Sequence, residues 1–296
     1  MSGQSLSPSL ERGTPQKKTL FSRGAKSSAL GLGLVLPSFL LLLFMIVVPI
    51  FTSIQESLTG SNGFTWDNYK FLFTDIAMRR NIIFTLQLTA VSSIMVLVIA
   101  YMLAVFLRFS SGRVVKWIQS LYYIPMFIPS VIATYGIMNL YGNHGWLARI
   151  LMLFTDAPFA RIIFDSKGLI LANLWFNIPF ATMLLSSALS GIPNAVIESA
   201  KDVGAGKIQV FFRIIFPLSF KSMLVAATFV VMGIIGSFTA PFLIGPNAPQ
   251  VLGVAMQQQF SVYFETGIAS ACAVFMFGIC SLVGYFYIRN MMKEEM

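Results

Sequence analysis

Six long runs of apolar residues dominate this sequence and decide the solvent in which the chain can fold. Each run is close to or longer than the ~20 residues that an α-helix needs to cross the hydrocarbon core of a bilayer. Only 10% of the residues are charged and 56% are apolar, whereas soluble domains average about 25% charged residues. The sequence therefore predicts an all-α integral membrane protein with six transmembrane helices. The predicted spans cover residues 30–54, 82–107, 117–141, 168–190, 220–244 and 267–288.

The charged residues between the runs predict how the chain is oriented. If the N-terminus lies in the cytoplasm, 14 of the 20 Lys and Arg residues fall on the cytoplasmic side, where membrane proteins concentrate them. The same bias explains the net charge of +9 without a nucleic-acid ligand, because the basic residues stand at the ends of apolar runs. We therefore expect both termini in the cytoplasm. The predicted parts are a tail at 1–27, disordered or along the membrane surface, a membrane domain at 28–292 and a short end at 293–296.

The predicted cytoplasmic segment between the fourth and fifth spans, which we name loop 191–219, has an unusual pattern. Pro193 suits the first turn of a helix, and Ile197, Ala200 and Gly204 recur at helical spacing on one narrow face of small and apolar groups. A tight turn is expected at 204–206, where two glycines flank an alanine.

A second short helix is predicted from Lys207, with Pro217 ending it. Isolated helices of this length are only marginally stable in water. Their apolar faces must therefore pack on the ends of the spanning helices or dock into a groove on a partner. The pattern alone leaves both alternatives open.

Loop 191–219 resembles the EAA loop, the signature of permease subunits of type I ATP-binding-cassette importers. The family pattern places an E-A-A triplet before a glycine and an I-x-L-P stretch after it. Ser199 replaces the middle alanine of the triplet, and Phe216 replaces the leucine before the proline. The residues that match the pattern are Glu198, Ala200, Gly204, Ile214 and Pro217.

This resemblance implies a fold, a mechanism and a set of partners. The fold is the type I importer permease fold, with coupling helices in loop 191–219 that sit in a cleft of an ATPase subunit dimer and carry its closure to the spans. A second permease subunit, identical or different, and an extracytoplasmic solute-binding protein are also implied. The expected location is the inner membrane of a bacterium or archaeon.

Two short stretches resemble subgroups of this family: the first resembles members that carry polyamines, thiamine, phosphonates or iron, and the second resembles the polyamine-type, or spermidine/putrescine-type, members. The first is the order Asp202-Val203-Gly204-Ala205, and the second is the run 236–245, in which Ser237 replaces an acid. They imply a small polar solute that is polyamine-, phosphonate- or opine-like, with a sugar-type importer permease as the alternative. A cationic polyamine should prefer acids or aromatic faces along its path, and the predicted spans contain no acid.

Polar side chains within or near the third to fifth spans are candidates for a translocation path. Buried polar groups in a lipid environment must find partners, so bonding between helices is the alternative for each of them. The candidates are Tyr135, Asn139, Asn173, Asn177, Ser237 and Thr239.

The sequence carries no pattern for an enzyme or a cofactor. His144 is the single histidine, from which no metal or catalytic spacing can be built, and we expect no cofactor. No phosphate-binding loop is present, so ATP hydrolysis is expected on a separate subunit. A secondary transporter, the remaining alternative, would usually need ionisable residues inside its spans.

Overall fold

The computed structural model describes residues 20–60, 63–154 and 161–292. The chain divides into two compact units, Met1–Thr52 and Ser53–Met296. A two-stranded antiparallel hairpin pairs β1 (Thr59–Gly60) with β2 (Gly63–Phe64). The helices are α1 (Leu20–Ser57), α2 (Asp67–Thr74), α3 (Ile76–Phe109), α4 (Arg113–Leu121), α5 (Ile124–Phe127), α6 (Ser130–Tyr141), α7 (Trp146–Leu151), α8 (Ser166–Ser190), α9 (Asn194–Asp202), α10 (Lys207–Val210), α11 (Phe216–Ile235), α12 (Thr239–Ile244), α13 (Leu252–Ser261) and α14 (Thr266–Met292), with a π-helical segment at Phe211–Ile215.

Among the described residues, five helices are long and apolar enough to cross a membrane, and a bent pair of helices makes a sixth if it counts as one span. The all-α membrane fold and the predicted first, second, fourth and sixth spans are confirmed. α1 begins at Leu20, so residues 20–27 of the expected tail are helical, and the division into tail and membrane domain stays a prediction. Residues 1–19 and 293–296, which hold the rest of the predicted termini, lie outside the described residues.

The third predicted span, at 117–141, is not one helix. The segments Arg113–Phe127 and Ser130–Leu151 meet at an angle of 109°. Ile128 is extended, with φ −92° and ψ 121°, because the residue before a proline avoids the helical region. Pro129 then precedes α6, so the break follows from local sequence that hydropathy does not register.

The fifth predicted span, at 220–244, is also corrected. The apolar span runs instead over Lys207–Ile235, and α12 is a separate helix. The hydroxyl of Ser237 donates to the carbonyl of Ile234 at 2.7 Å, a local bond that competes with continuation of the helix. The apolar run of the sequence therefore joins two helices that the backbone separates.

The core of the second unit is built around α3 and α8. The fully buried Ala100 and Ala104 of α3 belong to one cluster with Ala181 and Leu185 of α8, and small side chains let membrane helices approach closely.

Asp165 caps α8 by accepting from the amide of Lys167 at 3.4 Å. The pKa of its carboxyl is lowered, chiefly because the Ser166 hydroxyl donates a hydrogen bond to it.

The segment after α12 contains α13, a helix that the sequence did not predict. Side chains of α3 hold its beginning: the amide of Gln250, the residue before the N-cap, donates to Asn81 Oδ1 at 2.8 Å, and the amide of Leu252, the first helical residue, donates to Thr85 Oγ1 at 2.8 Å. The first amides of a helix lack partners within the helix, so α3 supplies the partner of the Leu252 amide. A further short helix, α7, lies at Trp146–Leu151 between α6 and α8.

Candidate coupling site and translocation path

The first helix of loop 191–219, α9, has one inward and one outward side. Ile197 is buried, with 6% of its surface exposed, and it packs with Ala200 in the cluster that α3 and α8 form. Glu198 and Ser199 are exposed. Of the two alternatives left open by the sequence, packing on the protein's own spans is therefore realised for the apolar face. The opposite side remains uncovered.

The end of α9 explains why a glycine stands at position 204. The amide of Ala205 donates to the carbonyl of Ala200 at 3.0 Å, and the amide of Gly204 donates to that of Lys201 at 2.9 Å. These two bonds form a Schellman motif, in which the residue after the C-cap takes a left-handed conformation. Gly204 has φ +85°, a backbone conformation that is strained for other residues.

The second helix of the loop does not end at Pro217, contrary to the prediction. The π-helical segment connects α10 to α11, and Pro217 lies in the first turn of α11. The amide of Phe216 donates to the carbonyl of Phe211, five residues earlier. A proline in a regular α-helix collides with the carbonyl four residues before it, and the wider π turn precedes it here. Ile214 packs partly buried against the core, whereas Pro217 is exposed.

The most exposed apolar side chains of the loop were not singled out as site residues by the sequence. Val203, Ile208 and Phe212 are 85%, 76% and 64% exposed. The sequence does contain a signal for Ile208 and Phe212, because a spacing of four residues places them on one face of the second helix. Hydrophobicity alone could not distinguish them from Phe211 and Ile215, which turn toward the core.

The candidate path residues are mostly engaged in local or helix-to-helix hydrogen bonds. Asn173 is buried and donates to Ser92 Oγ of α3 at 3.0 Å, and Asn177 donates to the Asn173 carbonyl at 2.9 Å. Asn139 donates to the carbonyl of Tyr135 at 3.0 Å, and Tyr135 is 48% exposed.

The path candidates Ser237 and Thr239 lie at the break between α11 and α12. Ser237 bonds within its own turn, and Thr239 is the first residue of α12. An apolar cavity of about 650 Å³ lies between α5, α6 and α8, and its lining includes Pro125, Gly136 and Trp175 but none of the six candidates. A β-carbon added at Gly233 would lie 3.3 Å from Asn177 Oδ1, so Asn177 instead approaches α11.

These features define a class of protein: a multi-span all-α membrane protein with a broken third span and a helix, α9, in the loop before the fifth span. A crystal structure of a bacterial ABC transporter involved in the import of the acidic polysaccharide alginate has this fold. Its matching chain superimposes with a TM-score of 0.80 over 94% of this chain and 99% of its own length, at 19% identity.

Residues 96–293 match the family described as binding-protein-dependent transport system inner membrane component, and the chain belongs to that family. It is similar to the spermidine/putrescine transport system permease protein PotB of Escherichia coli, with 28% identity over 67% of this chain and 72% of the relative. The PotB protein of Haemophilus influenzae is 25% identical over 84% of this chain and 89% of the relative. The protein is thus a multi-pass, non-enzymatic permease subunit of an ABC importer of the inner membrane.

Proposed function

We propose that this subunit moves a small polar solute of the polyamine type into the cytoplasm, driven by a separate ATPase dimer that docks on the exposed side of loop 191–219. The observation that carries the proposal is the two-sidedness of α9. Ile197 and Ala200 pack inward, whereas Glu198 and Val203 face away from the core. A short helix with an exposed apolar end suits the helix-in-groove mode of docking.

The remaining partners belong to the same proposal. One bundle of this size does not enclose a path on both sides, so a second permease subunit, identical or different, completes it. A solute-binding protein delivers the solute at the side opposite loop 191–219. The membrane is the inner membrane of a bacterium or archaeon, with both termini of the chain in the cytoplasm, as the distribution of Lys and Arg favours.

The relatives support the polyamine type of solute. Both PotB proteins carry spermidine/putrescine in their names, and the run 236–245 resembles that type. Phosphonate- and opine-like solutes belong to the same proposal because the spans contain no acid to select a cation. Uptake of radiolabelled spermidine in proteoliposomes, competed with an aminoalkylphosphonate and with maltose, separates these solutes from a sugar.

The docking site is tested by affinity purification of the tagged protein from its native membranes. Retention of an ATPase subunit and the ATPase rate are compared for the unaltered protein, Glu198→Arg and Val203→Asp. Glu265→Arg is the matched control, since it makes the same charge change at an exposed residue outside loop 191–219. We expect both loop variants to lose the ATPase subunit and the control to keep it. Retention that is equal in all four proteins would refute the docking site.

A further inference from the structure

Loop 191–219 is continuous in the chain with α8 and α11, but its two ends are also held by a third helix, α3. The guanidinium of Arg108, in the last turn of α3, reaches the beginning of the loop. Its Nε donates to the carbonyl of Leu189 at 3.2 Å, and its Nη2 donates to the carbonyl of Ile192 at 3.2 Å and to Asn194 Oδ1 at 2.6 Å. Leu189 is in the last turn of α8, where its carbonyl also accepts from the amide of Ile192 at 3.3 Å, and Asn194 is the first residue of α9.

The end of the loop is held by Tyr101. Its hydroxyl lies 2.7 Å from Ser219 Oγ in a buried contact. Ser219 Oγ also lies 2.8 Å from the carbonyl of Ile215 and 3.2 Å from that of Phe216. When Ser219 gives its single proton to one of these carbonyls, Tyr101 is the donor to Ser219. The ring of Tyr101 also contacts Phe211 and Phe216 edge to face, with centroids 6.0 and 5.8 Å away.

Tyr101 and Arg108 belong to one face of a single rigid element. They are seven residues apart, which is about two helical turns, so their side chains leave α3 in nearly the same direction. α3 is a continuous helix of 34 residues. Its opposite end carries Asn81 and Thr85, which hold the beginning of α13, and Asn81 and Arg108 are separated by about 40 Å along the axis.

We propose that α3 transmits movements of loop 191–219 across the importer as a rigid helix. Arg108 and Tyr101 are the positioning residues that attach the beginning and the end of the loop to it. A displacement of the loop reaches α13 through α3, in addition to its covalent path through α8 and α11. This inference rests on the proposed function for the identity of the partner that moves the loop. The hydrogen bonds that attach the loop to α3 lie within this chain, so the attachment does not depend on a partner.

The attachment is tested first in the purified permease in lipid nanodiscs, without partners. Hydrogen exchange of loop 191–219 is measured for Arg108→Gln, Arg108→Lys and Tyr101→Phe. The matched controls are Arg113→Gln, at the exposed first position of α4, and Tyr285→Phe, at an exposed tyrosine of α14. Arg108→Gln removes hydrogen bonds from a charged group, so we expect the hydrogen exchange of the loop to accelerate about 10-fold. Arg108→Lys keeps the charge but loses the planar guanidinium that donates several bonds at once, and we expect a smaller effect.

The transmission is tested in the complex that co-purifies from native membranes. The readout is the factor by which the co-purified solute-binding protein stimulates ATP hydrolysis, since that signal must cross the permease. We expect Arg108→Gln and Tyr101→Phe to lower this factor while the amount of retained ATPase subunit and its basal rate stay at the unaltered values. A purely structural role would lower retention, basal rate and stimulation together, and that result would overturn the proposal.

Two further outcomes separate this inference from the proposed function. Unchanged stimulation in Arg108→Gln and Tyr101→Phe would overturn the transmission role even if the loop exchanges faster. If the unaltered protein retains no ATPase subunit, the proposed docking fails, and hydrogen exchange still decides whether α3 holds the loop. Arg108→Lys and Tyr101→Phe keep the test open if Arg108→Gln does not fold.

Discussion

Replacing Gly204 by alanine tests whether the shape of loop 191–219 depends on one backbone conformation. Gly204 has φ +85°, and a β-carbon added there would meet no atom within 4 Å. Steric contact with neighbours therefore contributes nothing, and the whole effect comes from the left-handed backbone. For an L-residue this conformation costs about 1–2 kcal/mol.

The magnitude follows from the two hydrogen bonds that this turn closes, from Ala205 to Ala200 and from Gly204 to Lys201. If the turn opens 1–2 kcal/mol more easily, the open fraction rises about 5- to 30-fold. Native-state hydrogen exchange of the peptide covering 200–206 should accelerate by that factor in Gly204→Ala. Gly204→Asn should show a smaller increase, because asparagine tolerates the left-handed region better.

Gly206 provides the matched control. It has φ −70° and also has no atom within 4 Å of an added β-carbon, so Gly206→Ala adds the same methyl group without strain. Gly206 is the N-cap of α10, where alanine is less favourable than glycine, but no left-handed strain is added, so its exchange should rise by less than that of Gly204→Ala. Equal acceleration in Gly204→Ala and Gly206→Ala, or none in either, would refute the assignment of the turn.

Two other predictions concern the stability of the bundle. Asp165→Ala should lower the free energy of unfolding by about 0.5 kcal/mol, the low end for the loss of an N-cap, because the bond to the Lys167 amide is long at 3.4 Å. Asp165→Asn should keep most of this capping contribution. Thermal unfolding of the two variants measures the difference. Since the folded-state pKa of Asp165 is lowered, its carboxylate stabilises the fold above the unfolded-state pKa, and this contribution is lost as the pH falls through the folded value. Asn173→Leu and Ser92→Ala, combined in a double-mutant cycle of unfolding, should couple by about 0.6 kcal/mol, the mean for hydrogen bonds between membrane helices; coupling near zero would mean that the contact at 3.0 Å adds no stability.

The sequence predicted the membrane fold because the length and polarity of the apolar runs are strong signals. Its errors lie where backbone geometry interrupts an apolar run. Ile128 and Pro129 divide the third span, and the local bond of Ser237 to Ile234 separates α11 from α12. Both breaks lie between apolar residues on either side, so mean hydropathy does not change across them.

Loop 191–219 shows a different limit. Sequence periodicity identified a face containing Ile197 and Ala200, but it could not decide whether that face packs on the protein itself or on a partner. Tertiary contacts decide this question, since the cluster around Ala181 and Leu185 covers Ile197. Pro217 was misread for a related reason. Its effect depends on the π turn between Phe211 and Phe216, which has no pattern in the sequence.

The residues that match the EAA pattern carry out physically distinct tasks in this structure. Ala200 and Gly204 form the Schellman motif that ends α9, and Ile214 packs against the core. Glu198 is exposed and takes no part in that motif. Under the proposed docking, we expect substitutions at the first group to act on the shape of the loop and a substitution at Glu198 to act on the contact between the loop and its partner.

This division leads to a prediction that separates shape from docking. Glu198→Gln should leave the hydrogen exchange of the isolated permease unchanged and should weaken retention of the ATPase subunit. Gly204→Ala should accelerate exchange in the isolated permease, and it should weaken retention only to the extent that the turn is open. If Glu198→Gln accelerates exchange as much as Gly204→Ala does, Glu198 supports the fold of the loop, and the exposed side of α9 loses its role as the docking surface.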